Sequence, residues 1–298
     1  MNAELAIGID LGGTRIKAVA INNKGDMLHQ LYFPTNDGDD AIWKKAVATA
    51  VDSLLKKTGI TKFVIGISAP GLPNDDNSAI AFMPGRLQGL ENFAWTDFLQ
   101  QKTYVLNDAI AAMLAEARWG VAKSRKNVVM LTLGTGVGGA ILIDGKPYQG
   151  SFSKAGHFGH MVINDEGDCD VTGMPGSLEE CIGNYTIEKR SRGRFTSTND
   201  LLEAARKGDE MAQAVWLKSI KQLAVGLATV TNILSPEMIV LGGGITEAGK
   251  ELFDPLEKYM SEFEWRAGGN KAIIVKAEQG DMAGAIGAAS FALDKKQV

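Results

Sequence analysis

Apolar residues recur along this chain with two different periods. Short apolar runs, which are typical of buried strands, occupy residues 5–9, 18–21, 63–67 and 128–131. A helical repeat consists of Ile42, Ala46, Ala50 and Leu54. Asp39 and Asp40 can cap this predicted helix at its start, and Gly59 can end it. Because strand-like and helix-like segments alternate in this way, the sequence predicts an α/β protein.

The most informative polar segment is the run of residues 10–17, which separates two of the predicted strands. A P-loop and a dinucleotide fingerprint both lead into a helix, whereas a strand follows here, so neither motif fits. Glycines without a Cβ let backbone N–H groups close on an anion. Thr14 adds a hydroxyl, and Asp10 could hold a hydrated Mg²⁺. We therefore interpret Gly12 and Gly13 as a phosphate-binding hairpin turn; the alternative is a glycine-rich turn without a ligand.

Two further glycine clusters follow. Residues 132–139 again read as strand, glycine turn and strand, with Thr132 where the first hairpin has Asp10. This similarity predicts an internal duplication, in which two facing hairpins hold a polyphosphate between lobes. The third cluster, at residues 242–244, follows a predicted strand and precedes a helix expected to begin near Thr246. There the backbone can approach a flat ligand closely.

Asp108 is the strongest candidate for catalysis. A strand at residues 104–106 ends at Asn107 and Asp108, and a helical repeat follows. A carboxylate at this position is either a helix cap or the acceptor for the proton of an attacking hydroxyl.

Length and composition narrow the class of protein. The 298 residues suggest two domains of about 150 residues each. A net charge of -4 lacks the basic excess of a nucleic-acid binder. The first residues contain no basic segment followed by an apolar run, and the longest uncharged stretch is shorter than a membrane span, so we expect neither a signal peptide nor a membrane segment. Only Cys169 and Cys181 occur, which argues against a disulfide framework and is compatible with a cytoplasmic location.

Residues 10–17 resemble the phosphate motif D-x-G-G-T-x-x-K of the actin-like ATPase and sugar kinase superfamily, in the form found in its ROK branch. Asn107 to Ile110 is similar to the branch's N-D-A-N motif, and residues 132–139, 155–160 and 236–244 resemble further motifs in the same order. The resemblance implies a duplicated, two-lobed actin-like (ribonuclease H-like) fold with a cleft between the lobes. It also implies a smaller N-terminal lobe at 1–118, on which 285–298 packs back, and a larger lobe at 119–284.

The resemblance further implies ATP-dependent, Mg²⁺-dependent phosphorylation of a sugar hydroxyl, with Asp108 as the catalytic base. Sugar-binding roles carry over to Gly71, Asn92, Asn107, His157, His160 and Glu179. ATP and phosphate contacts carry over to Asp10, Gly12, Gly13, Thr14, Lys17, Gly134, Thr135, Gly136, Gly243 and Gly244, with Asp10 holding Mg²⁺ through water. Relatives are often dimers, so a homodimer is a further expectation. Glucose, allose, an N-acetylated or amino sugar and an acidic derivative stay open as substrates.

The chain departs from the family pattern at several positions. His157 replaces a glutamate that contacts sugar in relatives, and Ile110 replaces an asparagine. The family's zinc loop, C-x-C-G-x-x-G-C-x-E, has lost its cysteines, and the aligned residues are Asp170, Thr172 and Ser177. Because structural zinc normally has four ligands such as thiolate and imidazole, we expect no zinc. The alternative is a rearranged site that combines Cys169 and Cys181 with His157 and His160.

Three other readings compete with a sugar kinase. ROK repressors share the same body but carry an N-terminal helix-turn-helix of several dozen residues, whereas Asp10 comes almost at once in this acidic chain. A sugar-binding sensor without activity would fit the altered His157 and zinc loop, and ADP release would distinguish it from a kinase. An actin-like or chaperone ATPase is disfavoured by the short chain and by Asn107, Asp108 and His160.

Overall fold

The computed structural model describes residues 5–296, so the first four residues and the last two of the expected 285–298 segment lie outside the described chain. The described residues form two compact units. The first unit comprises residues 5–124, Gln149–Ala155 and 278–296, and the second comprises Arg125–Tyr148 and Gly156–Ala277.

The first unit is built on a five-stranded sheet with the order β3-β2-β1-β4-β7. Strands β1, β2 and β3 form an antiparallel meander, while β4 and β7 run parallel to β1. The elements are β1 (Leu5–Leu11), β2 (Arg15–Asn22), β3 (Met27–Pro34), α1 (Asp40–Thr58), β4 (Phe63–Ala69), β5 (Leu72–Pro73), β6 (Ile80–Phe82), α2 (Trp95–Leu99), β7 (Thr103–Asn107) and α3 (Asp108–Trp119).

The second unit repeats this plan with the sheet order β10-β9-β8-β11-β12. Its elements are β8 (Val128–Leu133), β9 (Val137–Ile143), β10 (Lys146–Pro147), α4 (Leu178–Ile182), α5 (Ile187–Arg190), α6 (Thr198–Arg206), α7 (Glu210–Leu234), β11 (Met238–Gly242), α8 (Lys250–Phe263) and β12 (Ile273–Lys276). The last described element is α9 (Ala283–Lys296), which belongs to the first unit. No helix in the described chain is long and apolar enough to span a bilayer.

The two sheets confirm the predicted duplication at the level of single residues. Asp10 is the penultimate residue of β1 and is paired with Lys17 of the hairpin and Ser68 of β4. Thr132 is the penultimate residue of β8 and is paired with Gly138 and Gly242 in the same way. Thr132 therefore occupies the place of Asp10, as the sequence comparison predicted.

Local signals explain most element boundaries. Helix α1 begins after Asp39, whose side chain accepts hydrogen bonds from the N–H groups of Ala41 and Ile42, and ends at Gly59 in a left-handed conformation. In helix α3 the capping residue is Asn107, and Asp108 is the first residue of the helix. The structure therefore differs from the interpretation of Asp108 as the helix cap. The Asp108 carboxylate is consequently not needed as the helix cap.

The expected helix near Thr246 is wrong in detail. A 3₁₀ turn covers Gly244–Ala248, and α8 begins only at Lys250, after Gly249 adopts a positive φ of 55°. The glycine interrupts the helical pattern, and the third glycine cluster therefore leads into a turn rather than into an α-helix.

Small residues allow α9 to pack directly on the first sheet. A Cβ at Gly8 of β1 or at Gly66 of β4 would overlap the carbonyl oxygen of Ala285 or Ala288 in α9. Helix and sheet backbones therefore touch, which explains the run of Ala and Gly in this helix. The contact brings the start of α9 beside Asp10 at the end of β1.

Candidate functional site

Asp108 lies at the carboxyl end of β7, where open α/β sheets usually place ligands. Asn107 fixes this position with both ends of its amide. Its Oδ1 accepts from the N–H groups of Ala109 at 2.9 Å and Ile110 at 3.3 Å, and its Nδ2 donates to the Gly71 carbonyl oxygen at 3.1 Å. Asn107 thus ties the turn at Gly71 to the helix that begins with Asp108. Its predicted contact with sugar stays a prediction.

Asp108 has an unusual protonation equilibrium. Its side chain is exposed, yet the surrounding protein removes enough water from the carboxyl group to favour the neutral form. This desolvation, together with the negative charge of Asp10, raises the pKa of Asp108 to about 6, while the N–H of Ala109 and the charge of Arg86 oppose the rise. An exposed carboxyl group with such a pKa is suited to accepting a proton near neutral pH.

Asp10 is the centre of a charged network in the first unit. Its Oδ1 accepts a hydrogen bond from the Ser68 hydroxyl at 2.8 Å, and its Oδ2 lies 3.1 Å from Lys17 Nζ. Lys17 Nζ also lies 3.0 Å from Asp281 Oδ1. Burial alone would lower the pKa of Lys17, but the two carboxylates raise it above its ordinary value. The Lys17 ammonium group therefore stays charged. The carboxylate oxygens of Asp10 are of the type that Mg²⁺ or its bound waters prefer.

Thr35, the residue that follows β3, stabilises the first glycine turn with two hydrogen bonds. The Thr35 hydroxyl donates to the Gly12 carbonyl oxygen at 2.5 Å, and the Thr35 N–H donates to the Thr14 carbonyl oxygen at 3.1 Å. Gly13 lies under the guanidinium group of Arg86, which occupies the position that a Cβ would take. The predicted residues Asp10, Gly12, Gly13, Thr14 and Lys17 are therefore gathered at one end of the β1–β2 hairpin.

Gly71 and Asn92 lie in the loops near the same end of the sheet. Gly71 has a φ of 102°, and a Cβ there would come within 2.6 Å of the Phe82 carbonyl oxygen, so glycine is required. Asn92 is exposed with a φ of 55°, and its N–H donates to the Ile80 carbonyl oxygen at 2.8 Å. Its side chain is available to a ligand, as the predicted sugar contact requires.

In the second unit, the turn between β8 and β9 is held by the chain that follows α4. The carbonyl oxygens of Gly134 and Thr135 accept from the N–H groups of Asn184 at 2.9 Å and Tyr185 at 3.0 Å. The Gly134 N–H donates to the Gly136 carbonyl oxygen at 2.9 Å, and this hydrogen bond closes the turn. The second predicted phosphate turn is therefore rigidly supported.

A cavity of about 660 Å³ adjoins this turn. It is lined by Gly134, Thr135, Asn184, Ser197, Thr198, Asn199, Leu202, Glu203, Arg206, Gly244, Ile245, Glu247 and Ala248. Thr198 is 6% exposed, and its hydroxyl makes no hydrogen bond within the described chain. A buried, unsatisfied hydroxyl is costly unless a ligand or water completes it. The cavity therefore has the size and the polar groups for a nucleoside.

Gly243 and Gly244 contribute differently to this region. Gly244 lines the cavity, and its predicted nucleotide contact stays a prediction. Gly243 has a φ of 89°, and a Cβ there would overlap the Leu133 carbonyl oxygen at the end of β8. Gly243 therefore allows two chain segments to approach, and its predicted ligand contact stays a prediction.

The side chains of His160, Asp170 and Glu179 form a polar cluster in the second unit. Ligand atoms of His160, Asp170 and Glu179 lie within 4.8 Å of one another. His157 stacks nearby, with its ring centroid 6.4 Å from that of His160. Glu179 is 9% exposed and accepts from the Val137 N–H at 2.9 Å, which places its carboxylate against the second glycine turn. The structure thus brings together His157, His160 and Glu179, all predicted to bind sugar.

Asp170, Thr172 and Ser177, which the resemblance aligns with the family's zinc cysteines, form hydrogen bonds in this structure. Asp170 Oδ1 accepts from the N–H and hydroxyl of Thr172 and from the N–H of Met174, while its Oδ2 lies 2.9 Å from His160 Nδ1. Ser177 caps α4 by accepting from Glu180 N–H. Both oxygens of Asp170 take part in hydrogen bonds, and the three aligned residues offer no thiolate for a structural zinc ion.

The two cysteines do not supply a replacement thiolate pair. Both are free, with Cys169 exposed and Cys181 buried. Burial raises the pKa of the Cys181 thiol to about 11, so this thiol is protonated at neutral pH and is a poor metal ligand. The rearranged site considered from the sequence gains no support from this chemistry.

Several functional candidates carry no sequence signal. Arg86, Asp37 and Asp281 lie outside every motif described above, and Asp281 precedes α9. The lining of the nucleoside-sized cavity comes largely from residues 184–206, which contain no glycine motif. Only the fold brings these side chains beside the predicted ones.

Comparison with known proteins identifies the family of this chain. The family model described as "ROK family" matches residues 6–295. A glucokinase of Streptomyces coelicolor is 30% identical over 320 residues, covering 97% of each chain. An N-acetylmannosamine kinase of Vibrio cholerae is 30% identical over 250 residues, covering 80% of this chain and 83% of that one. The crystal structure of a ROK family glucokinase from Streptomyces griseus in complex with glucose and AMPPNP has a TM-score of 0.80 at 27% identity, covering 97% of this chain and 99% of that one.

Proposed function

This chain belongs to the ROK family, and on that premise we propose that it transfers the γ-phosphoryl group of ATP to a hydroxyl of a sugar or sugar derivative. The observation that carries the proposal is Asp108. An exposed carboxyl group at a strand's carboxyl end, with its pKa raised to about 6, lies in the same unit as the phosphate-type turn. Two relatives that are kinases of glucose and N-acetylmannosamine support the substrate class.

In this proposal Asp108 is the general base. The sugar hydroxyl donates its proton to the ionised carboxylate as its oxygen forms a bond to the γ-phosphorus, and the bond from that phosphorus to the ADP oxygen breaks. Asn107 holds the start of α3, so the carboxylate has a fixed position relative to Gly71. Positioning and charge stabilisation supply most of the catalysis in phosphoryl transfer.

The first glycine turn and the Asp10 network bind phosphate and metal in this proposal. Asp10 would hold a hydrated Mg²⁺, which would supply positive charge against the phosphate oxygens. Lys17 is kept charged by Asp10 and Asp281, so it is available as a cation for phosphate oxygens. Gly12, Gly13 and Thr14 offer backbone and hydroxyl donors.

The second unit holds the nucleoside in this proposal. The unsatisfied Thr198 hydroxyl and the adjoining turn at Gly134, Thr135 and Gly136 support it, as does Gly244 in the cavity wall. The Streptomyces griseus relative, which binds AMPPNP, supports the class of nucleotide.

In this proposal His157, His160 and Glu179 contact the sugar. His157 offers an imidazole where relatives offer a carboxylate, so it can donate to a substrate group as well as accept. This change favours a substrate whose oxygen or acidic group faces His157. A homodimer and a cytoplasmic location stay predictions.

The test is an ADP-release assay with Mg-ATP over a panel of glucose, allose, mannose, N-acetylmannosamine, N-acetylglucosamine, glucosamine and a sugar acid. We expect one or a few of these sugars to stimulate ADP release well above the rate without sugar. A thermal-shift screen of the same sugars runs in parallel. Sugar binding without ADP release from any member would instead indicate the inactive sensor.

A further inference from the structure

Arg86 projects from a loop whose backbone is tightly constrained. Residues 83–94 connect β6 to α2, and positive φ angles occur there at Gly85 (83°), Leu87 (49°), Gly89 (78°) and Asn92 (55°). Leu87 is 1% exposed, and its N–H donates to Asp37 Oδ1 at 2.5 Å. Buried Leu87 holds the main chain in place, so the backbone that carries the half-exposed Arg86 side chain has a fixed position.

The guanidinium group of Arg86 lies on the first glycine turn. The three atoms nearest to a Cβ built on Gly13 all belong to Arg86, and the closest is a terminal guanidinium nitrogen. Any side chain at Gly13 would displace it. The absence of a Cβ therefore lets a permanent cation reach the backbone that we propose binds phosphate.

This cation is only weakly neutralised. Its ion-pair partner is Asp37, and the distance between Arg86 Nε and Asp37 Oδ2 is long, at 3.8 Å. Asp37 also accepts a hydrogen bond from the Leu87 N–H. The charge of Arg86 lowers the pKa of Asp108, against the larger effects of desolvation and Asp10. Arg86 therefore acts electrostatically on both the phosphate turn and the base.

We propose that Arg86 is a catalytic residue that contacts the phosphoryl group undergoing transfer, an inference that rests on the kinase function proposed above. As the sugar oxygen bonds to the phosphorus and the bond to ADP breaks, negative charge is spread over the equatorial phosphoryl oxygens. The planar guanidinium fork of Arg86 donates to two of these oxygens. The hydroxyl proton still passes to Asp108, and Arg86 exchanges no proton.

Two variants of Arg86 test this role in the full-length chain. In Arg86→Gln we expect kcat to fall by about 10²-fold or more, with the KM values for ATP and sugar changing much less. Arg86→Lys keeps the charge without the fork and recovers only part of kcat. The acidic limb of the pH profile moves to higher pH in Arg86→Gln, because the charge that lowers the pKa of Asp108 is gone.

The matched control is Arg125→Gln. Arg125 is also half-exposed and makes a similarly long ion pair, with 3.9 Å between its guanidinium nitrogen and Glu237. We expect wild-type kinetics and an unmoved pH limb. Unchanged kcat in Arg86→Gln would overturn the proposal, as would a loss confined to the KM of an acidic sugar, which would make Arg86 a substrate-binding residue.

A binding experiment separates this inference from the proposed function. Calorimetry with AMPPNP and with ADP compares ligands with and without the γ-phosphoryl group. We expect Arg86→Gln to weaken AMPPNP about tenfold or more and to leave ADP unchanged, since hydrogen bonds to charged groups are strong. If no sugar stimulates ADP release by the wild type, the kinase function fails while this comparison still decides the role of Arg86. Equal effects on both nucleotides, or no effect, would refute it.

Discussion

His160 and Asp170 form a hydrogen-bonded pair with 2.9 Å between Nδ1 and Oδ2. The Asp170 side chain is fully buried, and its burial would raise its pKa, but the donors of Thr172 and His160 hold that pKa well below its usual range. An ionised carboxylate only accepts, so the proton of neutral His160 lies on Nδ1 and its Nε2 is an acceptor. Asp170 therefore fixes both the tautomer and the orientation of a predicted sugar-binding ring.

Because this hydrogen-bonded pair holds the loop in the structure, we predict that the loop is stable without zinc. Elemental analysis of protein purified without added metal should give far less than one zinc per chain, and a chelator should leave the melting temperature unchanged. About one zinc per chain would contradict this prediction and make the cluster of His160, Asp170 and Glu179 the first candidate for its site.

Asp170→Asn should destabilise the protein by about 1–3 kcal/mol, because an amide cannot accept from all four donors and leaves at least one buried donor unsatisfied. Chemical denaturation measures this change. Asp168→Asn is the control, since Asp168 lies in the same loop with its side chain 73% exposed and paired only with Lys189 in the described chain. Equal stability of both variants would contradict the anchoring role.

The pKa of Asp108 predicts the pH dependence of the reaction. A general base works in its ionised form, so kcat/KM should fall about tenfold per pH unit below about pH 6 and level off above it. Steady-state rates with the best sugar from about pH 4.5 to 8 measure this limb, with coupling enzymes tested for their own pH response. A limb near pH 4 would mean that the carboxyl group is not desolvated.

Alanine should destabilise the protein at Gly243 but not at the adjacent Gly244. Gly243→Ala introduces a Cβ that overlaps the Leu133 carbonyl oxygen at a φ of 89°, so it should cost about 1–2 kcal/mol or more of unfolding free energy. Gly244→Ala places its Cβ in open space and should change that free energy by less than about 0.5 kcal/mol. Urea unfolding without nucleotide compares the two. A stable Gly243→Ala protein would show that the β8 contact can relax.

The unsatisfied hydroxyl in the cavity predicts a nucleotide contact. Thr198→Val removes this hydroxyl and should weaken ADP binding by about three- to tenfold, while the stability of the free protein stays equal or increases. Calorimetric titration with ADP measures the effect. Thr229→Val, on the exposed surface of α7, should bind ADP like the wild type. Unchanged binding in Thr198→Val would place the nucleoside elsewhere.

Much of the fold was predictable because local signals and the tertiary structure agree. The two strand-turn-strand hairpins, the caps at Asp39 and Gly59, and the duplication of Asp10 in Thr132 all follow from apolar periods and glycine spacing. The prediction near Thr246 failed because apolar period does not reveal that Gly249 takes a positive φ. Backbone conformation at a single glycine decided the element.

The site was predictable only where its residues lie in motifs. Asp108 and the glycine turns follow strands directly, so their place at the sheet edge could be inferred. Arg86 reaches Gly13 from a loop more than seventy residues later in the chain, and Thr198 meets the Gly134 turn through an independent segment. Such contacts depend on loop paths, which no periodicity specifies.

The turnover of Asp108→Asn tests the central claim most directly. Asparagine keeps the shape but cannot take the hydroxyl proton, so kcat should fall by about 10²- to 10⁴-fold while AMPPNP binds as to the wild type. Asp97→Asn is the matched control, since Asp97 is an exposed aspartate in the first turn of α2, and it should retain wild-type kcat. A near-normal kcat in Asp108→Asn would contradict the assignment of Asp108 as the base.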